Sequence, residues 1–526
     1  MTETYDAVVI GAGPNGLVAA NRLIDAGWSV LVLEAQLSVG GAVKSDESVE
    51  PGFVHDTFSA FYPLAAASPT IRSFRLEEHG LRWRHAPGVL GHPTPDGAWA
   101  ILHRDRFITA SLMEAQQAGD GDAWLALCEQ WDQIGSHLVN ALISPFPPIK
   151  HGLAAMSKLR RVGGLEFIRA MLTPMAELSS VRFAGRAPRL LLAGNAAHAD
   201  TPLHAPGSGL MGVLLVMLGQ TVGFPVPEGG AGSLAEALDR RFRSLGGTVR
   251  CSAEVTRIDV SDRRVTAVRT ANGDIVRVAR AVIADVSAMH LYGGLVAASD
   301  LPARTIRRMR SFELDPGTVK VDWAMKSPVP WMAPPPYAPG TVHVADSVEQ
   351  MNDALTQVTA GVIPAAPFML TGQMTTSDPT RSPSGTESLW AYTHVPHVTK
   401  EDAGGEGIRG LWNRDDCERF ADRMQARLER LAPGFGERVL SRRVLGPAEL
   451  ESRDANLIGG AINGGTSQLH QQLVLRPIPG WGRAETPIRG LYLGSASAHP
   501  GGGVHGAPGM NAARAALAHS RIPFSR

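Results

Sequence analysis

The chain has 526 residues, 44% hydrophobic and 19% charged, with 50 basic and 50 acidic side chains that cancel. At about 150 residues per domain this ordinary globular composition suits two to four domains, or two large interleaved ones, and the balanced charge argues against general attraction to nucleic acid or acidic membranes. Cys128, Cys251 and Cys417 are too far apart to form a Cys-x-x-Cys pair, so neither a disulfide framework nor a zinc site is indicated, and a reducing, cytoplasmic setting fits.

The opening residues Met1-Thr2-Glu3-Thr4-Tyr5-Asp6 lack the basic segment and long apolar run of a secretory signal. Ala7 to Ile10 is a short apolar run expected to form a buried parallel strand. Gly11 to Gly16 is a glycine turn. Leu17 to Ala26 has helical composition with Gly27 as its stop, and Val30 to Leu33 is a second strand ended by Glu34, which completes a βαβ unit.

Pro147 to Leu172 mixes apolar residues with Lys150, Lys158, Arg160, Arg161 and Arg169. An ordinary solvated helix of the second domain is the expected reading of that pattern, with a peripheral membrane contact as the alternative; vesicle cosedimentation separates the two. His198 and His204 are separated by a Pro-containing loop without a carboxylate-rich partner motif, so they are expected to line a substrate tunnel rather than hold a metal. The apolar run Leu210 to Phe224 contains Gly and Gln and is shorter than the ~20 residues a spanning helix needs.

A second organised stretch begins at Gly229. Leu234 to Leu245 is predicted as an amphipathic helix stopped by Gly246-Gly247, followed by strands over Thr248 to Cys251 and Glu254 to Val260. Arg264 to Thr270 and Ile275 to Ala279 read as a hairpin about Asn272-Gly273, and Ala281 to Ala284 as another short buried strand. Near the C-terminus, a strand at Leu491 to Leu493 leads into glycine-rich Gly494 to Gly509 and a helix over about Met510 to Ala518. The expected class is α/β: a discontinuous dinucleotide-binding domain over 1–74, 223–299 and 485–526, interleaved with an α+β substrate domain over 75–222 and 300–484.

Gly11-Ala12-Gly13-Pro14-Asn15-Gly16 fits G-x-G-x-x-G, a weak pattern alone. Here it follows a strand, opens a helix and is answered by Glu34, 23 positions after Gly11. Gly11 permits the tight turn, Gly13 lets the backbone approach a pyrophosphate, and Gly16 lets the helix lie on the strand. The helix N-terminus offers free N–H groups to phosphate, and Glu34 can accept from ribose hydroxyls while disfavouring a 2′-phosphate. The fingerprint does not choose between NAD and FAD. Gly40-Gly41 favours FAD, although a surface turn explains that pair equally. The C-terminal glycine-rich loop and helix form a second anion-receiving element.

These stretches together resemble the phytoene desaturase-like flavoproteins, the carotenoid/retinoid oxidoreductase family, and within it the branch called pyridine nucleotide-disulfide oxidoreductase domain-containing protein 2. The residues that carry the resemblance are Val8 to Ala20, Leu33-Glu34, Gly40-Gly41-Ala42, Gly229 to Leu234, Glu254-Val255, His499 to Gly506 and Gly509 to Ala513. It implies a Rossmann-type FAD domain related to amine oxidases, a substrate domain with a mixed sheet, and non-covalent FAD. Besides Gly11, Gly13, Pro14, Asn15, Gly16, Glu34, Gly40 and Gly41, the implied cofactor contacts are Ala35, Ala42, Val43, Thr57, Val255, Asp285, Gly494, Ser495, Gly503, Val504, His505 and Met510. Asp56 to Ser59 would pass beside the flavin. Without a Cys-x-x-Cys pair, disulfide reduction is not supported.

The expected reaction is hydride transfer from a hydrophobic, isoprenoid or lipid-like substrate to flavin N5, with the terminal acceptor left open between oxygen, a quinone and another carrier. His505 is the candidate for handling a proton near the ring, and replacing it by Ala is expected to lower flavin reduction more than FAD content. A histidine that only fixes the loop is the alternative for His505, and His499 reads as structural. Two rival functions remain: an amine oxidase-like enzyme with Trp323, Trp390 and Tyr392 as cage candidates, and a flavin-bound scaffold without turnover. Hydrolase and nucleotide-triphosphate motifs are absent: no G-x-S-x-G, H-E-x-x-H or G-x-x-x-x-G-K-[S/T] occurs.

Overall fold

The computed structural model describes residues 3–521, so Met1 and Thr2 of the opening segment and the last five residues of the 485–526 segment lie outside the described residues. Thr4–Ile10 and Val30–Leu33 form parallel neighbouring strands whose apolar residues are buried on both faces. Their near-continuous hydrophobic run is what a strand covered by elements on both sides requires. The helix between them, Pro14–Ile24, starts three residues earlier than the composition suggested, because Pro14 fits the first helical turn, where no N–H is needed. Gly27, at φ +80°, turns the chain back toward Val30.

These strands belong to a seven-stranded sheet in the order Val255–Ser261, Arg264–Thr270, Ile275–Ala284, Thr4–Ile10, Val30–Leu33, Thr248–Arg250, with Leu491–Leu493 paired to Ile275–Ala284 as a branch. The two short strands expected over Ile275 to Ala279 and Ala281 to Ala284 are one ten-residue strand. Its first half pairs antiparallel with Arg264–Thr270, and its second half pairs parallel with Leu491–Leu493, while Thr4–Ile10 runs parallel along its other edge. One strand therefore serves three neighbours, which sequence alternation alone does not reveal. Helices Pro14–Ile24, Gly232–Ser244 and Ala507–Ser520 contribute to the apolar core against the sheet.

A second seven-stranded sheet runs Val439–Leu445, Gly317–Met325, Glu387–Val395, Met369–Gln373, Pro339–Val344, Gly88–Pro93, Trp99–Leu102. It is mixed: Pro339–Val344 and Gly88–Pro93 are parallel, whereas the other neighbours are antiparallel. Val319, Val321, Trp323 and Met325 pack one face of this sheet against helix Arg414–Leu431 and its apolar side chains. By the strand's twofold alternation, Lys320 and Asp322 lie on the opposite face, opposite Tyr392 and Trp390 in the register. Helices Arg186–Ala196 and Ser208–Thr221 share a core with Trp390 and Leu370 on that face.

A buried ionic junction ties distant segments together. Arg381 bonds Asp56 and Asp378, and its third contact is the carbonyl of Pro227. Asp56 also accepts from Ala231 N–H and from Ser45, and Asp378 accepts from Gly229 N–H. All three charged side chains are fully buried, so removing one partner would leave an uncompensated charge in a low-dielectric site.

Candidate functional site: a glycine-lined nucleotide cleft

A cavity of about 520 Å³ opens along the C-terminal ends of Thr4–Ile10 and Val30–Leu33. This is where parallel α/β sheets bind ligands, because loops diverge there and helix N-termini point into the gap. Gly11, Gly13, Pro14, Asn15, Glu34, Ala35, Gly41, Ala42, Val43, Val255, Asp285, Ser495, Gly503 and Val504 all line it. The cleft thus gathers residues from three segments of the sequence.

The glycines are required by close approach. A Cβ on Gly11 would lie 2.7 Å from the Asp285 carbonyl oxygen, and one on Gly13 would lie 2.8 Å from Asp285 Oδ2. A Cβ on Gly16 would overlap the Gly11 carbonyl, so Gly16 lets helix and turn pack as its position suggested. The space beside Gly13 is shared with the Asp285 carboxyl, a constraint additional to phosphate approach. Gly40 and Gly41 both have positive φ, Gly40 N–H donates to Ala12 O at 2.9 Å, and a Cβ on Gly41 would meet Gly13 Cα at 3.0 Å. The pair is therefore locked onto the first glycine turn and is no free surface turn.

Glu34 is buried and its two oxygens accept from Ala12 N–H at 2.7 Å and Gln36 N–H at 2.9 Å. Its remaining lone pairs are free to take hydroxyl donors. Asp285 accepts from Gly16 N–H at 2.7 Å. Burial pushes the Asp285 carboxyl up to about 8; the Gly16 hydrogen bond opposes this, and the neighbouring Asp454 and Glu34 carboxylates reinforce it. Asp454 is raised too, again chiefly by burial. Asn15 Oδ1 is buried without a hydrogen-bond partner at the start of the first helix. The cavity volume, the bare glycine walls and the acceptor at Glu34 together fit an extended dinucleotide.

Several expected contact residues sit elsewhere. Gly16 and Gly40 shape the turns without lining the cavity. Thr57 does not line it either: its hydroxyl is spent on Asp46 at 2.7 Å. Met510 is a core residue packed with the first helix, because Ala507–Ser520 turns that side chain inward. Gly494 allows close packing instead, since its Cβ would lie 2.9 Å from Ile283 and its N–H donates to Ala284 O. Asp56 is held in the Arg381 junction, and Ser59 donates to the Ala42 carbonyl at 2.9 Å, which fixes the wall of the cleft.

His505 also lies off the cavity wall. It is buried, and its Nδ1 accepts from Ala507 N–H at 3.1 Å, so it caps the start of the last helix while its carbonyl accepts from Ser68. Burial lowers its pKa to about 4 and keeps the ring neutral, which that acceptor role requires. The ring is thus held as the loop-fixing alternative for His505 requires. His499 bonds the Ser144 carbonyl at 2.9 Å, in keeping with a structural role. His198 pairs with His343 at 2.9 Å, His204 is exposed, and among the described residues no group of three metal-ligating side chains forms.

Asp454, Asn456, Ile462 and Gly464 also line the cavity, although their segment falls within the expected substrate domain. Asn456 bridges by accepting from Ser287 N–H and donating toward the Asp285 carbonyl. No local spacing signals such residues, since they reach the cleft from a loop more than 160 positions away from Asp285.

Behind Gly503 the packing is apolar, where Leu64, Phe61 and Tyr392 lie against the core cluster that holds Trp390. Leu64 Cδ1 lies 2.8 Å from where Gly503 would carry a Cβ, and Phe61 packs its ring 5.9 Å from Trp390. Trp390 and Tyr392 stack side by side along one strand at 5.9 Å and 25°. Trp323, a third cage candidate, points to the other face and packs on Phe435. Buried Lys320 pairs with Asp322, and its ammonium lies 5.8 Å from the Trp390 ring.

Comparison with known proteins agrees with this geometry. Residues 15–318, more than half of the chain, match the family described as flavin containing amine oxidoreductase. The mouse (Mus musculus) protein called pyridine nucleotide-disulfide oxidoreductase domain-containing protein 2 is 29% identical over 551 residues, covering 97% of this chain and 92% of that one. The lycopene-forming phytoene desaturase of Pseudescherichia vulneris is 24% identical over 525 residues, covering 97% and 98%. Among solved structures, putrescine oxidase bound to putrescine shares the fold with a TM-score of 0.60 at 18% identity, covering 99% of this chain and 100% of that one. The chain is similar to phytoene desaturases, and it belongs to the flavin-containing amine oxidoreductase family as an FAD-dependent oxidoreductase.

Proposed function

We propose that this enzyme oxidises an apolar, isoprenoid- or lipid-like small molecule by removing a hydride from carbon. The observation that carries this reading is the apolar packing next to the cleft: Leu64 lies against Gly503, and Leu64, Phe61 and Tyr392 pack on the buried cluster that holds Trp390. A hydrocarbon gains free energy on entering such a surface at about 25 cal/mol per Å² buried, whereas a charged amine loses hydration there. The similarity to phytoene desaturases supports the same substrate class.

The bound flavin would supply the hydride-accepting N5. In this proposal Gly11, Gly13, Asn15 and the first helix N-terminus hold the diphosphate, Glu34 takes the adenosine ribose hydroxyls, Val255 borders the adenine, and Ser495, Gly503 and Val504 border the ribityl chain and ring. His505 positions the last loop through its hydrogen bond from Ala507. The apolar cluster beside Gly503 would exclude water and orient the substrate carbon.

Trp390 and Tyr392 lie side by side on one strand and do not form two facing rings, which disfavours an amine cage. The visible spectrum of purified protein, followed by anaerobic reduction against isoprenoids and amines, tests the proposal. Bleaching of the flavin by isoprenoids alone is the expected result. Bleaching by simple amines, with peroxide formed on admitting oxygen, refutes it in favour of amine oxidation, and a flavin that neither class reduces refutes it in favour of a scaffold. Reoxidation by a soluble quinone, compared with oxygen, identifies the acceptor.

A further inference from the structure

We infer that the segment 146–172, together with 469–474, forms a docking face for an anionic lipid surface. The basic stretch expected as one helix is broken into Ile149–Leu159, a short turn at Arg160–Val162, and Leu165–Leu172. No residue of Ile149–Leu159 is buried. A helix of a water-soluble protein ordinarily turns its apolar stripe to the core. Here Ile149, Leu153 and Met156, which share one helical face, stand 68%, 63% and 68% exposed. Leu165, Ile168 and Leu172 repeat the pattern on the next helix, where Leu165 is 80% exposed and only Met171 is buried.

The patch is joined by a remote segment. Gly207 N–H donates to the Leu172 carbonyl at 3.2 Å, and Gly207 also packs on Leu469, so exposed Leu469 lies beside the end of the second helix. Exposed Val474 shares a cavity of about 540 Å³ with Phe146, Pro147, Arg304, Trp481 and Arg483. Apolar side chains from two regions of the chain therefore meet on one side of the molecule, which is unusual for a surface without a binding role.

Charge selects the occupant. Between 146 and 172 the chain carries Lys150, Lys158, Arg160, Arg161 and Arg169 against the single acid Glu166, although the whole sequence is neutral. Glu166 is taken by Arg169. Among the described residues, Lys150, Lys158, Arg160 and Arg161 make no ion pair with an acid. Exposed apolar side chains interspersed with unpaired cations are complementary to a bilayer interface with acidic headgroups. The face also adjoins the loop that follows the cleft: Ser144 and Phe146 accept from His499 and Arg483 through their carbonyls. A lipid-like substrate would then enter from the side where the protein rests on its reservoir. The docking claim itself does not depend on which substrate is oxidised.

Cosedimentation of the full-length, FAD-loaded protein with vesicles tests it, comparing phosphatidylcholine alone with phosphatidylcholine containing about one-fifth phosphatidylglycerol. Binding to the mixed vesicles, weakened by salt, is expected. The Leu153→Gln, Met156→Gln variant should bind about tenfold more weakly. The Lys158→Gln, Arg160→Gln, Arg161→Gln variant should lose about a hundredfold, at about one order of magnitude for each one to two cations. Val398→Gln, equally exposed in a loop outside the patch, should bind as wild type. Unchanged melting temperature and flavin absorbance in the patch variants exclude misfolding as the cause. No pelleting of wild type with mixed vesicles, or equal pelleting of wild type and patch variants, overturns the inference. So does a concentration-dependent dimer in light scattering that the Leu153, Met156 variant abolishes without any vesicle binding, since a second copy would then cover the face.

Discussion

Replacing Asp285 by Asn isolates the electrostatics of the cleft. The substitution keeps size and leaves an oxygen able to accept from Gly16 N–H, so the turn geometry survives. What disappears is ionisation. In the unfolded chain the carboxyl titrates near 3.8; in the fold it is pushed up to about 8. Between those values the folded state holds a proton that the unfolded state has released, so this group makes stability fall as pH rises from about 4 to 8. Each unit of difference is worth about 1.4 kcal/mol. The Asn variant should therefore match wild type near pH 4 and exceed it by about 4 kcal/mol at pH 7, with a plateau above pH 8. The two anionic charges of a bound diphosphate push in the same direction. Thermal or urea unfolding of both proteins from pH 4 to 9, read by tryptophan fluorescence, gives the difference directly. A stability difference that stays flat with pH, or favours wild type at neutral pH, refutes the reasoning.

Three further outcomes are expected. Gly509→Ala should cost about 1–3 kcal/mol and lose FAD on gel filtration, because its Cβ would overlap the Asn15 carbonyl where the first and last helices cross; Gly27→Ala, with nothing within 4 Å, should retain FAD and lose only the modest cost of its positive φ. His505→Ala should remove about 1 kcal/mol of capping and lower FAD retention, while the fully loaded enzyme reduces within about twofold of the wild-type rate in stopped flow. At the acid end, His92 and His198 are held neutral by burial, near 4 and 3 against the usual 6.5, so the fold binds fewer protons than the unfolded chain and loses stability as pH falls below about 6.5. For His92 alone that loss reaches about 3 kcal/mol by pH 4, and His92→Gln, which can still donate to the Ala345 carbonyl, should flatten the slope seen in melting temperatures.

Local chemistry made the nucleotide half legible. A strand, a glycine turn and a helix within thirty residues obey short-range rules, so Val30–Leu33, Glu34 and the three glycines could be placed from spacing alone. The hairpin about Asn272-Gly273 was equally readable, because that dipeptide meets the backbone demands of a tight turn. The resemblance supplied the C-terminal loop, and Gly503 and Val504 do line the cleft.

The direction in which side chains point was another matter. His505 and Thr57 stand in the right loops, but each is spent on a neighbouring backbone N–H or carboxylate, and such competition is decided by angles that only packing sets. Trp323 and Trp390 are on paired strands of one sheet, yet opposite pleat faces send them into two different apolar cores. Thus the sequence by itself determined the strand–turn–helix unit and its taste for a dinucleotide, because those depend on neighbours a few residues apart. Only the tertiary structure decided that Asp285 fills the space beside Gly13, that Asp454 and Asn456 reach the same cleft, and that an apolar helix face near residue 153 is left in water, because each is set by which remote segments meet.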